Sequence, residues 1–274
     1  MLIAQISDFH VTAGGRLAYR RVDTSAALER AVAHLNALSP QPDLILATGD
    51  LVDLGTPDEY AHLRDLLAPL KAPVFIIPGN HDAREPLREA FAGDGYLPKG
   101  GDFLHYTLDL SPVRIVAMDT VAPGHGHGEL CDTRIAWLDK QLSDEPERPT
   151  IIIMHHPPFD TGIAHMDKIG LLRGAKELGD VIARHPQVER ILCGHLHRAI
   201  QTRWHGTIAS TAPSTAHQVA LDLRADGPSA FVMEPPGFQL HRWQPGLGLV
   251  SHTGFFGRYD GPYPFFEASG DLVV

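Results

Sequence analysis

Cysteine is nearly absent from this 274-residue sequence: Cys131 and Cys193 stand 62 positions apart, a spacing that forms neither a disulfide framework nor a C-x-x-C redox or zinc motif. Both read as reduced thiols. Lysine is also sparse, with 5 residues beside 18 arginines, and Asp plus Glu outnumber them all at 33. The resulting net charge of −10 and pI near 5.9 exclude the basic surface of a protein that coats a nucleic-acid polymer. No apolar run reaches the about 18 residues of a membrane span. Met1 to Ser7 reads as a strand, not a leader, so the expectation is a cytoplasmic protein with no membrane partner. P-loop, dinucleotide-fingerprint, G-x-S-x-G and H-E-x-x-H patterns are all missing, which sets aside nucleotide kinases, dehydrogenases, serine hydrolases and zincins. What is plentiful is histidine, at 17 residues, pointing to metal ligation or proton transfer. Hydrophobic residues at 43% and charged residues at 20% describe an ordinary globular chain of one large domain or two small ones.

Strand and helix signals alternate over about the first 195 residues. Leu2–Ile6, Leu44–Ala47, Val74–Ile77, Ile151–Met154 and Arg190–Cys193 are short apolar strands. Helices are predicted from Asp23-Thr24-Ser25 to Leu38, Pro57 to Leu70, Thr133 to Leu142 and Leu171 to His185. Phe103–Leu110 and Val113–Met118 read as a hairpin. After His197 the pattern becomes short and antiparallel, at Ile200–Trp204, Thr207–Ser210, Gln218–Leu223, Ala230–Met233 and Gln239–Trp243. Residues 1–234 then read as a catalytic domain. The final 40 residues, 235–274, hold 8 of the 20 aromatic residues and read as an extension that caps a site or meets another subunit. Gly124-His125-Gly126-His127-Gly128 reads as a flexible loop.

Ligand-capable residues gather at the carboxyl ends of the predicted strands, where open α/β sheets bind ligands. In order these are Asp8-Phe9-His10, Gly49-Asp50-Leu51-Val52-Asp53, Gly79-Asn80-His81-Asp82, His155-His156-Pro157-Pro158 and Gly194-His195-Leu196-His197. Each alone is common; the complete ordered set resembles the calcineurin-like metallophosphoesterase superfamily over residues 3 to 197. Leu17 to Asp23, Met166-Asp167 and His217-Gln218-Val219 further look like its bacterial branch of glycerophosphodiesterases and class III cyclic-nucleotide phosphodiesterases.

That resemblance implies an α/β fold of four αββα layers with two mixed sheets. It implies two divalent ions, Fe, Mn, Co or Zn: Asp8, His10, Asp50 and His197 would hold one, and Asn80, His156 and His195 the other with Asp50 bridging. Carboxylate, imidazole and amide oxygen suit such ions, and the lack of thiolate disfavours a closed structural zinc site. A hydroxide bridging the pair would attack phosphorus, and His81 would contact phosphate and protonate the leaving alkoxide. His217 and Arg21 are candidate substrate contacts. Asp53 and Asp82 would orient ligands or fix loops. His155, next to a ligand on a strand, is expected to face away from it, and His34, His62, His185, His241 and His252 are expected at the surface. Two dications, two carboxylates and one hydroxide leave a single positive charge, which matches a phosphodiester better than a monoester. The implied activity is hydrolysis of small, glycerophosphodiester-like phosphodiesters. A 3',5'-cyclic-nucleotide phosphodiesterase is the alternative, and a non-catalytic scaffold of the same fold the remote one. The superfamily's protein phosphatases carry Glu where Asp82 stands, and the arginines with which they grip phosphoserine have no match here. A homo-oligomer is compatible with the acidic surface and aromatic C-terminus.

Overall fold

The computed structural model describes residues 1–273. Its elements run β1 (Leu2–Ile6), α1 (Thr24–Ala37), β2 (Leu44–Ala47), α2 (Pro57–Leu67), β3 (Val74–Ile76), α3 (Arg84–Ala90), β4 (Tyr106–Asp109), β5 (Arg114–Met118), β6 (Gly128–Glu129), α4 (Asp132–Asp144), β7 (Thr150–Met154), α5 (Ala164–Asp167), β8 (Leu171–Arg173), α6 (Ala175–Ile182), β9 (Val188–Cys193), β10 (Ile200–Trp204), β11 (Thr207–Thr211), β12 (Gln218–Val219), β13 (Phe231–Val232), β14 (Gly237–Gln244) and β15 (Gly248–Phe255). Five strands form one mixed sheet in the order β15-β14-β1-β2-β3, and six form a second in the order β10-β11-β9-β7-β5-β4.

Strand alternation explains why the sheets stack. In β5, β7 and β9, Ile115, Ala117, Ile151, Ile153 and Leu192 join the cluster that contains Ile3, Ile45 and Leu46 of the first sheet. Their neighbours Val116, Met118, Ile152, Met154, Ile191 and Cys193 point the other way, against Leu138 and Leu142 of α4 and Leu178, Val181 and Ile182 of α6. Strands buried on both faces favour apolar residues on both, which is why the runs 115–118, 151–154 and 191–193 show no polar alternation. Helix α1 lays Leu28, Ala31, Val32 and Leu35 on the first sheet's cluster; α2 starts in a capping box between Thr56 and Glu59, with Pro57 opening the helix. The result is the four-layer α/β sandwich, with β1–β2–β3 and β5–β7–β9 parallel within it.

Three expectations need correction. The helix predicted from Leu171 to His185 is shorter: Leu171–Arg173 pairs with Gly128 and Glu129 as β8, and Gly174 at φ +85° breaks the strand before α6 begins. Of the histidines expected at the surface, His241 is 1% exposed and His185 8% exposed. His241 lies inward on β14, bonded to Ser251 and Gln5, and His185 is tied to Asp139 at 2.9 Å. The division at residue 234/235 is not a break in the layers, because β14 pairs antiparallel with β1 from Leu2↔Arg242 to Gln5↔Gln239 and β15 extends the same sheet. Of the described residues in that segment, 257–273 run irregularly at the surface.

Removing β14 would strip β1 of its antiparallel partner and open an apolar sheet edge. A chain ending at residue 234 is expected to be insoluble or to unfold without a cooperative thermal transition by circular dichroism; a soluble fragment with a sharp transition would make the C-terminal hairpin dispensable.

Candidate metal centre

Each strand that points at the site ends in a short loop, and the loops are laced to one another. Asp8 and His10 donate their backbone N–H groups to the carbonyls of Gly49 and Asp50, both at 3.0 Å. Gly194 N–H reaches the His155 carbonyl at 3.0 Å, and His195 N–H reaches Asp8 Oδ1 at 2.9 Å. Asp8, His10, Asp50, His195 and His197 all adopt positive φ, between 48° and 71°. Among the described residues they are five of the eight non-glycine residues that do so, and left-handed backbone outside glycine concentrates at functional sites. Gly79 shows how tight the packing is: a Cβ there would stand 2.3 Å from both the backbone nitrogen and the carboxylate of Asp50.

These turns bring the predicted ligands together. One carboxylate or imidazole atom from each of Asp8, His10, Asp50 and His197 falls within 4.8 Å of the others, and His155, His156 and His195 form a second such group. His10 Nε2 lies 3.1 Å from His197 Nε2 and 3.6 Å from Asp50 Oδ2; His197 Nε2 lies 3.5 Å from Asp8 Oδ1. Asn80 Oδ1 and Asp50 Oδ1 both approach His155 Nε2, at 3.2 and 3.4 Å. The buried nitrogens His156 Nε2 and His195 Nε2 have no hydrogen-bond partner. A buried unpaired imidazole nitrogen is costly, and a cation accepting its lone pair removes that cost. The donor set of carboxylate, imidazole and amide, without thiolate, fits a pair of borderline divalent ions.

The electrostatics prepare the same state. Burial holds His10 and His156 well below the usual imidazole range, with His81 and His195 respectively adding to it. Burial likewise holds His195 down to about 3 and His197 down to about 4, so these four rings are neutral with lone pairs available. Burial raises Asp8 to about 7, with His155 opposing and Asp50 reinforcing the rise. Asp50 goes the other way: burial would raise it too, but His155 and His81 outweigh burial and hold it well below the carboxylate range.

His155 departs from expectation. The strand ends at Met154, so alternation no longer governs the next residue, and the fully buried His155 turns into the centre. Its Nδ1 meets the Thr48 carbonyl at 2.8 Å. Burial works against its charge, but Asp50 outweighs burial and lifts it to about 9. Asp82 accepts from Gly79 N–H (2.8 Å), Leu51 N–H (3.1 Å) and the Tyr60 hydroxyl (2.9 Å), binding together the loops of Asp50 and Asn80. Asp53 gives its carbonyl to His81 Nδ1 at 2.8 Å and its carboxylate to Arg16 at 2.9 Å.

The centre opens into a cleft of about 400 Å³ lined by His10, Asp50, Asn80, His81, His195, His197 and His217 on its polar side. Tyr19, Met166, Ile169, Val219 and Phe231 form an apolar wall. His217 packs edge-on to Tyr19, with centroids 5.2 Å apart. Arg21 is exposed and absent from the lining: the chain reverses at the Ala18–Val22 bridge with Tyr19 and Arg20 in left-handed conformation, and Tyr19 is the residue presented to the cleft. The C-terminal aromatic residues do not line it either. Sequence reasoning missed Phe231, which carries no motif, and Thr120, whose Oγ1 lies 2.8 Å from His156 Nδ1. Thr120 follows β5 and so obeys the same strand-end rule that picked out the ligands.

Comparison with known proteins agrees with this geometry. The family model for calcineurin-like phosphoesterases matches residues 1–199. The chain is 41% identical over 273 residues to a probable glycerophosphodiester phosphodiesterase of Arcobacter nitrofigilis, covering the whole of both chains. It is 34% identical to a 3',5'-cyclic adenosine monophosphate phosphodiesterase of Pseudomonas aeruginosa, covering 95% of this chain and 94% of that one. Among solved structures, a dimetal phosphatase from Danio rerio superposes with a TM-score of 0.64 at 15% identity, covering 93% of this chain and 99% of the other.

The Thr120 contact yields a measurement. In Thr120→Val, His156 Nδ1 loses its hydroxyl partner. The expected result is an affinity about 10-fold weaker for one metal ion of the two, read by competition with a chromogenic chelator. Two unchanged affinities would remove Thr120 from any role in orienting His156.

Proposed function

The chain belongs to the calcineurin-like phosphoesterase family, and we propose that this metal-dependent phosphoric diester hydrolase acts on small, glycerophosphodiester-like substrates. The observation that carries the reading is the convergence of Asp8, His10, Asp50 and His197 beside buried, unpartnered nitrogens of His156 and His195. In the reading proposed, the first four hold one divalent ion, and Asn80, His156 and His195 hold the second with Asp50 shared. When bound, such a pair supplies charge for the phosphoryl oxygens and lowers the pKa of water at the site. Fe, Mn, Co and Zn all suit these donors.

The protein's own groups have distinct tasks. His81 fixes its Nδ1 on the Asp53 carbonyl, which leaves Nε2 for the substrate. Burial lowers its pKa, but Asp50 and that carbonyl outweigh burial and raise it overall, favouring an imidazolium that donates a proton to the departing alkoxide. His217 is held down to about 3 by burial and so stands neutral at the cleft wall, where it can take a substrate hydroxyl proton in a hydrogen bond. Tyr19 and Phe231, with centroids 5.2 Å apart, form an apolar wall against the leaving group. A flat base could lie on the same pair, which supports 3',5'-cyclic nucleotides as the second substrate class. Free Cys131 and Cys193 suit the reducing cytoplasm, and the exposed Tyr259, Tyr263, Phe265 and Phe266 support a homo-oligomeric contact through the C-terminal stretch.

The test is release of p-nitrophenol from bis(p-nitrophenyl) phosphate after Mn, Co or Zn is added to metal-stripped protein, followed by a panel of glycerophosphodiesters and cyclic nucleotides. Metal-dependent turnover with diesters faster than monoesters is expected; turnover of neither, at full metal loading, leaves only the scaffold. His81→Ala is expected to lower kcat by roughly 10²–10⁴-fold with two ions still bound, and Asn80→Ala to weaken one ion and turnover together. Wild-type kinetics in either variant would refute that residue's role.

A further inference from the structure

Away from the metal centre, a small cleft of about 180 Å³ opens where the edge strands of the two sheets meet. Its lining is Arg190 of β9, Ala199, Ile200 and Gln201 of the second sheet's edge, Ser210 of β11, Gln239 of β14, and Ser251 and Thr253 of β15. Arg190 is only 7% exposed, and among the described residues no carboxylate lies within ion-pairing distance of it. Its Nη1 donates to Ser251 Oγ at 2.6 Å, and its buried Nε has no partner. Buried guanidinium groups are normally paired, because an uncompensated charge out of water is strongly destabilising.

The hydrogen bonds leading inward do not supply the missing charge. The Gln5 amide gives its NH₂ to the Cys193 carbonyl, so its Oε1 faces His241 Nε2, and Ser251, which accepts from Arg190, donates its proton to His241 Nδ1 at 2.7 Å. His241 must then carry its proton on Nε2, which donates to Gln5 Oε1 at 3.1 Å. Gln5 Nε2 in turn donates to Thr48 Oγ1 and the Cys193 carbonyl, at 3.0 and 2.9 Å. Every link donates away from Arg190, and every acceptor is neutral. Burial together with Arg190 holds His241 down to about 3, so the histidine adds no charge of its own. On the cleft side, Thr253 Oγ1 occupies Gln239 Oε1 at 3.3 Å, which leaves the Gln239 amide NH₂ as a donor beside the Ser210 hydroxyl.

We propose that this cleft is an anion site, in which Arg190, with the hydroxyl and amide donors around it, takes a small tetrahedral oxyanion of the phosphate or sulfate class and thereby ties β9 of one sheet to β14–β15 of the other. A donor-rich lining with one arginine and no acid is the complement of such an ion. The site is independent of the metal chemistry above and lies outside the cleft that holds it.

The experiment compares sodium sulfate and sodium phosphate with sodium chloride at equal ionic strength, using the metal-loaded enzyme. The wild type is expected to gain about 3 °C in Tm in tens-of-millimolar sulfate or phosphate. His81→Ala, altered at the metal centre, keeps that gain, and Arg190→Gln loses it. A gain from phosphate alone is binding at the metal centre and overturns the site, as does a gain from neither anion or one that Arg190→Gln retains. Selenate-soaked crystals should show anomalous density against Arg190, whereas selenate confined to the metal centre, or water alone in the cleft, overturns the proposal. Should Arg190→Gln fail to fold, Gln201→Glu places a carboxylate at the same cleft. It is expected to raise Tm in chloride and abolish the sulfate gain, and a variant that still gains as the wild type does would count against the assignment.

Discussion

A single buried carboxylate governs the architecture of the site. Asp50 is 2% exposed, and its oxygens face His10 on one side, His155 on the other and the backbone N–H of His81 at 2.9 Å. A carboxylate out of water must be met by positive charge or by several donors. Here those partners come from loops far apart in sequence, so the sheets must be ordered as they are for Asp50 to be tolerated. The converse also holds: a protein that left Asp50 with a lone histidine would find it cheaper to protonate the carboxylate than to keep a charge there.

Holding ligands at strand ends imposes strain. Five left-handed non-glycine residues, at about 1 kcal/mol each, approach the lower end of a domain's whole stability of about 5–15 kcal/mol. Asp and His tolerate this backbone region better than branched residues do, which moderates the cost. The remainder is offset by the lacing of one loop to the next and by the inter-sheet core of Ile3, Ile45, Ile151, Ile153 and Leu192 beneath them.

What could be read from the sequence was the part governed by local rules. Apolar runs marked the central parallel strands, and ligand-capable residues followed each one, so Asp8, Asp50, Asn80, the His155–His156 pair and His195 stood out by position, while their division into ligand sets came from the family resemblance. Residues whose placement depends on tertiary packing did not stand out. His155 obeys strand alternation only if the strand continues, and it stops one residue earlier. Arg21 and Tyr19 are neighbours in a tight reversal, and which of them meets the cleft is decided by two left-handed residues that no side-chain pattern reveals. Leu171–Arg173 has a helical pattern, yet pairing with Gly128–Glu129 takes it into a strand. His241 reads as a polar residue on a late strand, and only the register of β14 on β1 turns it inward.

That register has its own physical cause. Gln5 is buried on the last residue pair of the β1–β14 ladder, and its side chain is satisfied when His241 arrives opposite Ile3 with its ring toward Gln5. A slip of one residue would send His241 to the other face and leave Gln5 Oε1 buried without its donor, a penalty of about 1–3 kcal/mol, while also parting Ser251 from Arg190. Thr48, at the far end of the same hydrogen-bonded run, lies in the loop that also supplies the carbonyl holding His155. The edge hairpin and the floor of the metal centre are therefore fixed by one continuous set of polar contacts crossing the apolar core. Polar groups there specify which strands meet and in which register, where hydrophobic packing alone would tolerate alternatives.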